Sequence, residues 1–394
     1  MTQSMFKIPQ APNIIFSMGI FEQYCNLGEK KLGEATALPF EVYHSKEVFE
    51  RELKSIFLND WIFACHENEL QSEGDFKCLE IGGESIVICR NKRGDISAFS
   101  NHCRHKGTKI LNNGLGSTKN LVCPYHAWTY DLRGDLKGVP FSGKVSIEKK
   151  DHCLKKFAIE IWQGFVFLHL GEVKDSPAER FKGIEKYLAA FDTQRFKHAY
   201  SGPLESWDCN WKVAMENAME SYHLFAVHKE TLEVNTPTRS AFYLEGGANW
   251  ALTAGKIEGI KKGLFSDYPD YLNHYVLVSL PPSFVGILTY DSFDWIQVIP
   301  TSKDTIHVFS GGISPHSSPA PKDQKEFTEK FFEEDKNICE LVQKSMNSQL
   351  SSGGLLVELE RVVIDFRHYL CSRLFDKHSS HFISEEAKSF FNER

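Results

Sequence analysis

A chain of 394 residues, 42% hydrophobic and 25% charged, is long enough for two domains with their own cores and has an ordinary globular composition. Its formal net charge of −7 removes the electrostatic case for nucleic-acid binding, and no run of about 18 apolar residues would carry a helix across a membrane. The N-terminus lacks a basic segment followed by a long apolar one, so the reading is a cytoplasmic protein without a secretory leader, its ten cysteines serving as thiols or metal ligands rather than disulfides.

Residues 1–40 are mixed and turn-rich and read as an N-terminal extension. Helical spacing then places Val48, Phe49, Leu53 and Ile56 on one side of a helix within 45–60. From Trp61 to about Leu170 short strands alternate with turns, as in FKCLEIGG, SIVICRNKRGD and FVFLHLG. That pattern predicts a compact all-β domain over residues 41–172. Residues 174–230 read as helical. YVLVSL, FVGILTY, FDWIQVIP and TIHVFSGGI then predict long antiparallel strands between 240 and 313. A Ser/Pro loop at 314–323 precedes a helix of about 25 residues. The expected class is α+β: the β domain, then a larger mixed domain over 173–394.

The sharpest local signal is Cys103-Arg-His105, seventeen intervening residues, and Cys123-Pro-Tyr-His126. Each half offers one thiolate and one imidazole from a tight loop between strands. A zinc finger more often pairs Cys with Cys on one knuckle and His with His on a helix. A Rieske [2Fe–2S] centre needs two thiolates on one iron and two imidazoles on the other, which two such loops supply directly. Neutral imidazoles in place of thiolates raise the reduction potential, which suits a relay toward an oxygen-activating iron. A zinc knuckle is the competing reading. The other eight cysteines (Cys25, Cys65, Cys78, Cys89, Cys153, Cys209, Cys339 and Cys371) have no partner at metal-site spacing and are taken as structural.

Downstream, an Asn210-Trp211-Lys212 lead-in is followed by Glu220, His223 and His228. On a helix, Glu220 and His223 would share a face, whereas His223 and His228 would point about 140° apart. The two histidines can share a metal only if the helix bulges or ends between them, a break expected in Leu224–Val227. Two histidines and one carboxylate with open positions form the facial triad of non-haem Fe(II) oxygenases. The carboxylate must come from elsewhere, with Asp335, Glu340, Glu358, Glu360 and Asp365 as candidates.

NHCRHKGTKI and NLVCPYHAWTYDLRGDLKGVP resemble the cluster-binding loops of Rieske oxygenases, and the order of elements agrees from about residue 38 onward. Lys106 stands where that family usually has arginine, and Ala127 where glycine is common. The resemblance implies a Rieske [2Fe–2S] domain ahead of a helix-grip, START-like catalytic domain with an antiparallel sheet. It implies Cys103, His105, Cys123 and His126 as cluster ligands, with His223, His228 and Asp335 as ligands of a mononuclear Fe(II). FEEDKNICELVQ matches the context of the family's third ligand, an aspartate near the start of a late helix, and so favours Asp335.

The resemblance also makes Glu220 the bridge that carries electrons between a metal-bound histidine and a cluster histidine of the neighbouring subunit in a head-to-tail homotrimer. Glutamate there, where many members have aspartate, resembles the subset acting on betaines, carnitine and choline. The implied activity is O2-dependent hydroxylation or N-demethylation of a small quaternary ammonium compound. Aromatic-ring hydroxylation is the alternative, and an electron-transfer protein without oxygenase activity is a third reading. No GxGxxG fingerprint and no plant-type ferredoxin spacing occur, so NAD(P)H is expected to act through a separate flavin/iron–sulfur reductase. Trp250, Phe284, Tyr290, Phe293 and Trp295 lie on or near predicted strands and could line the substrate pocket, as a cage for a cation or a slot for an arene.

Overall fold

The computed structural model describes residues 19–259, 269–316, 322–378 and 381–392; the first part of the expected extension and the middle of the Ser/Pro loop lie outside them. Helix α1 (Ile20–Gly28) is followed by α2 (Lys46–Glu52), which begins where the Ser45 hydroxyl accepts a hydrogen bond from the Val48 amide. A π-turn over Leu53–Phe57 continues α2, and Val48, Glu52, Ile56 and Phe57 are buried. Glu52 is the unusual member of that face. Its carboxylate accepts from Lys212 Nζ at 2.8 Å, Trp211 Nε1 at 2.9 Å and Tyr24 Oη at 3.2 Å, and neither side chain of the ion pair is exposed. The buried polar contacts of Glu52 thus run to Tyr24 in α1 and to Trp211 and Lys212 in the second half of the chain.

Removing one partner of such a pair strands a charge in the core, so Lys212→Met is expected to cost about 3–5 kcal/mol of stability. Chemical denaturation would read this as a lowered midpoint at unchanged slope; an unshifted midpoint would show that the pair contributes nothing.

The β domain starts at β1 (Trp61–His66), with β2 (Asp75–Ile81), β3 (Glu84–Arg90), β4 (Ile96–Ser100) and β5 (Gly114–Ser117) following. After them come the short β6 (Leu121–Val122), β7 (Thr129–Tyr130) and β8 (Leu136–Gly138), then β9 (Lys156–Trp162) and β10 (Phe165–His169). Seven strands form one antiparallel sheet in the order β1-β10-β9-β4-β3-β2-β5, while β6-β7-β8 form a small second sheet. The β2–β3 hairpin closes through Gly82 and Gly83, both at positive φ, as a two-residue turn of the kind that matches strand twist requires.

The second sheet system contains β11 (His198–Trp207), β12 (Phe242–Gly246), β13 (Ala251–Lys256), β14 (His274–Leu280), β15 (Phe284–Leu288), β16 (Phe293–Pro300), β17 (Ile306–Ser314) and β18 (Phe382–Ile383). They run antiparallel in the order β11-β17-β16-β15-β14-β13-β12-β18. β11 corrects the helical reading of 174–230. It is an edge strand, exposed along most of its length and bulged at Gly202-Pro203, so no period-two burial marks it in the sequence.

Helix α3 (Trp211–Ala218) packs on β15 and β16, and the long α5 (Lys322–Ser345) packs on α3. Helix α6 (Arg361–Phe375) covers β12 and β13. One sheet face, with Val278, Phe284, Phe293 and Trp295, packs on Phe63, Phe165 and Phe167 of the β domain. The other face, with Tyr243, Ala251, Val285 and Val298, packs on α3 and α6. No described helix is long and apolar enough to cross a membrane.

Candidate metal centres

The four cysteine and histidine candidates of the β domain come from two loops closed in the same way. In the loop between β4 and β5, the Cys103 amide donates to Thr108 O at 2.9 Å and the Gly107 amide donates to Cys103 O at 2.9 Å. In the loop between β6 and β7, the Cys123 amide donates to Trp128 O at 2.9 Å and the Ala127 amide donates to Cys123 O at 3.0 Å. Gly107 and Ala127 are equivalent positions, at φ 75° and 54°, and the turn explains why glycine suits both. Buried Asn101 anchors the first loop, donating to Leu111 O and accepting from the Leu111 amide.

The two cysteines are buried and the two histidines are exposed. The imidazoles of His105 and His126 lie 4.7 Å apart, and His105 stacks on Trp128 at 4.9 Å. A tetrahedral zinc ion, with bonds of about 2.0–2.3 Å, would draw its donor atoms to within about 4.6 Å of one another. Among the described residues, this quartet is not a set of three or more donors all within 4.8 Å. Histidine beside histidine, with the thiols together beneath, fits a binuclear cluster better than a single ion. Burial pushes the Cys103 thiol up, while the Tyr130 hydroxyl and a His105 backbone hydrogen bond pull it down.

Sequence reasoning missed Tyr130, four residues beyond His126. Its oxygen accepts from the Arg104 amide at 2.9 Å, which leaves its own hydrogen for Cys103 Sγ at 3.4 Å. A hydrogen bond to a cluster sulfur stabilises the reduced, more negative state. With Cys103 as a ligand of the cluster that the resemblance implies, Tyr130→Phe would lower its potential by about 40 mV, the one-electron equivalent of roughly 1 kcal/mol. A potentiometric titration followed by EPR would measure it, and an unchanged potential would remove Tyr130 from the cluster's surroundings.

The second constellation forms where α3 stops. Met219 caps that helix, Glu220–His223 make a turn, and α4 (Leu224–Val227) is one helical turn with His223 before it and His228 after it. The expected break thus lies upstream of Leu224–Val227, and those four residues are themselves helical. Glu220 is outside α3, yet it still meets His223. Its Oε1 accepts from His223 Nδ1 at 2.6 Å, while Oε2 accepts from the Tyr222 amide and from the His223 amide at 3.2 Å. The sheet pins this turn from below, through Thr253 Oγ1 on Met219 O at 3.4 Å and Tyr275 Oη on Ser221 Oγ at 3.1 Å.

From α5, Asp335 Oδ1 stands 3.0 Å from His228 Nε2 and 3.5 Å from His223 Nε2, and the Asn217 amide holds the same oxygen at 2.7 Å. Donor atoms of His223, His228 and Asp335 all lie within 4.8 Å of one another. Burial works against a charged His223, but hydrogen bonds from it to Asp335 and Glu220 bring it up to about 10. Burial works against the Asp335 carboxylate, and the two imidazoles hold it well below the usual range. Two imidazoles and a carboxylate with donor atoms this close suit a single metal ion, and a cleft of about 150 Å³ lined by Glu220 and Asn217 lies beside the turn that carries His223.

The other carboxylate candidates go elsewhere. Glu340 accepts from the Asp208 amide, Glu360 caps Val357, Asp365 pairs with Arg361 and Tyr243, and Glu358 is exposed.

The substrate-pocket expectation fails for most of its members. Phe284, Phe293 and Trp295 occupy the sheet face that packs on the β domain, and Tyr290 sits in a turn with the Arg195 guanidinium 4.0 Å over its ring. Trp250 also belongs to that core, although it lies with Met219 and Ser279 around a narrow crevice. Strand parity is the reason. In β15 and β16 these residues alternate with the ones that face α3, and an aromatic run does not reveal which parity faces the site.

Comparison with known proteins gives this geometry a lineage. Residues 60–157 match the Rieske [2Fe-2S] domain, and residues 193–374 match the ring hydroxylating alpha subunit (catalytic domain). The glycine betaine monooxygenase oxygenase subunit of Chromohalobacter salexigens is 33% identical over 199 residues, 50% of this chain and 44% of that protein. The match thus spans under half the length of that curated relative. The carnitine monooxygenase oxygenase subunit of Acinetobacter baumannii is 28% identical over 351 residues, 83% of this chain and 90% of that one. The crystal structure of the quaternary ammonium Rieske monooxygenase CntA with an inhibitor superposes with a TM-score of 0.77 at 26% identity, covering 89% of this chain and 98% of that one.

The chain therefore joins a β domain of the Rieske kind to a catalytic domain of the ring hydroxylating kind. Residues 60–157 thus belong to the Rieske [2Fe-2S] domain family, and residues 193–374 to the catalytic domain family of ring hydroxylating alpha subunits.

Proposed function

We propose that this chain is the oxygenase component of a system that hydroxylates or N-demethylates a small quaternary ammonium compound with O2 and electrons from a separate reductase. The similarity to a carnitine monooxygenase subunit along 83% of the chain carries the reading. Glutamate at position 220, in contact with His223, supports it.

In this reading Cys103, Cys123, His105 and His126 hold a [2Fe–2S] cluster, and His223, His228 and Asp335 hold Fe(II). When bound, the cluster supplies single electrons and the iron supplies a place for O2 beside the substrate. The chain's own residues do the rest. Cys103 and Cys123 bury the thiolate side of the cluster, leaving His105 and His126 exposed to meet another surface. Glu220 accepts the His223 Nδ1 proton and faces the cleft, where a cluster histidine of the next subunit in a homotrimer would find it. Asn217 orients Asp335, and the Thr253 and Tyr275 hydroxyls fix the turn that carries Glu220 and His223.

Reconstituted protein, with a flavin/iron–sulfur reductase and NADH, should consume O2 on addition of a betaine, carnitine or choline and release formaldehyde if a methyl is attacked. A relative of the other type, the anthranilate 1,2-dioxygenase large subunit of Burkholderia cepacia, is 29% identical over 50% of this chain and motivates aromatic acids as the second panel. Uptake with aromatic acids alone would overturn the quaternary ammonium assignment. A cluster that cycles with no substrate-dependent uptake at all would favour an electron carrier.

A further inference from the structure

On α5, Glu334 and Asp335 are consecutive, and consecutive residues of a helix point about 100° apart. That offset lets one helix clasp an imidazole from two sides. Asp335 Oδ1 stands 3.0 Å from His228 Nε2, while Glu334 Oε2 accepts from His228 Nδ1 at 2.8 Å. The same Glu334 oxygen accepts from Thr231 Oγ1 at 2.6 Å, which fixes the carboxylate from the segment just beyond His228. His228 is fully buried, so solvent does not reach Nδ1 to take the carboxylate's place.

We propose that Glu334 is a positioning residue of the mononuclear centre: held by Thr231, it fixes His228 in its Nδ1–H form and leaves Nε2 as the donor atom beside His223 and Asp335. The assignment rests on reading that triad as a metal site. A carboxylate behind a ligating imidazole sets the tautomer, stops the ring from turning and makes Nε2 more basic. Glu220 does this for His223 while also holding two backbone amides and facing the cleft. Glu334 completes the pair, so that each imidazole has its own carboxylate behind it.

The test uses full-length protein with an intact, oxidised cluster and the mononuclear site emptied by chelation. Anaerobic calorimetric titration with Co(II) gives affinity, and the EPR spectrum of high-spin Co(II) gives ligand geometry. Glu334→Ala should weaken Co(II) binding by about 10–100-fold and change the Co(II) spectrum, with the cluster's circular dichroism unaltered. Glu334→Gln retains an oxygen that can accept from Nδ1–H, so it should recover most of the affinity and the original spectrum. Thr231→Val, which frees the carboxylate without removing it, should shift the spectrum in the direction of Glu334→Ala.

Unchanged affinity in Glu334→Ala overturns the proposal, and equal losses in the Ala and Gln variants would assign the effect to charge and overturn the tautomer role. Should Glu334→Ala not fold, Thr231→Val decides, because an unaltered Co(II) spectrum there overturns the proposal. If the unmutated protein takes up no Co(II), the metal-site reading itself falls; if it binds and all three variants bind identically, only the Glu334 assignment falls.

Discussion

Glu220→Gln should leave iron and sulfide content unchanged and slow substrate-dependent re-oxidation of the reduced cluster by about 100-fold, the upper end of the range for a group acting behind a metal ligand. The substitution is close to isosteric. Its amide oxygen can still accept from His223 Nδ1, now 2.6 Å from Glu220 Oε1, so the imidazole should stay in place. What disappears is the negative charge facing the cleft, and with it the ability to hold a second imidazole N–H as strongly as the first. The amides of Tyr222 and His223 also lose a charged acceptor, which by itself would cost stability rather than rate. The two effects separate experimentally. A thermal melt reports the turn, whereas stopped-flow absorbance of a pre-reduced, substrate-loaded sample reports the transfer. Re-oxidation at the unmutated rate would remove Glu220 from the electron path, wherever the cluster docks.

Strands could be read from the sequence because their cores declare themselves. YVLVSL and FDWIQVIP are apolar enough to be called from composition, and they lie in β14 and β16. β11 could not, since an edge strand paired on one side and wet on most of its surface shows neither alternation nor an apolar run. The Cys/His loops were legible for a different reason: the two candidate ligands of each half are local, two or three residues apart, so the chain itself fixes their proximity. The triad was legible only in part. His223 and His228 are close in sequence, yet their convergence depends on α3 ending at Ala218, after which strands distant in sequence hold the turn through Thr253 and Tyr275. Asp335 could be chosen among five carboxylates only by resemblance, because which of them reaches the histidines is decided by how α5 packs on α3. The pocket aromatics failed on the same ground. Sequence shows that a residue is on a strand, but parity against a distant helix is a tertiary fact.

Asp335→Ala should abolish the mononuclear centre and spare the cluster, taking reconstituted protein from about three irons per two sulfides to about two per two, as the cluster's own composition dictates. In the proposed facial set Asp335 is the sole carboxylate on the Nε2 side of both imidazoles; Glu220 and Glu334 meet the Nδ1 side, and Glu340, Glu360 and Asp365 are each committed to a partner of their own. Two neutral imidazoles without an anionic oxygen bind Fe(II) far less tightly than the full triad. The pH dependence follows from the same contacts. In the metal-free protein, His223 is held up to about 10 by Asp335 and Glu220 against the opposing effect of burial. A raised folded-state value means that the bound proton stabilises the metal-free fold fully below the ordinary histidine range, and that this stability is lost as pH rises toward 10. Metal must displace that proton, so affinity in the unmutated protein should climb with pH across the same interval. Removing Asp335 takes away a hydrogen-bond partner of both histidines, so the imidazoles of the Ala variant should titrate lower, even though the metal no longer binds. Iron and sulfide analysis beside NMR titration of the histidines would check both statements. Retention of the third iron would move the ligand role to another carboxylate, and unchanged histidine titration would show that the clasp seen at Asp335 does not govern the site.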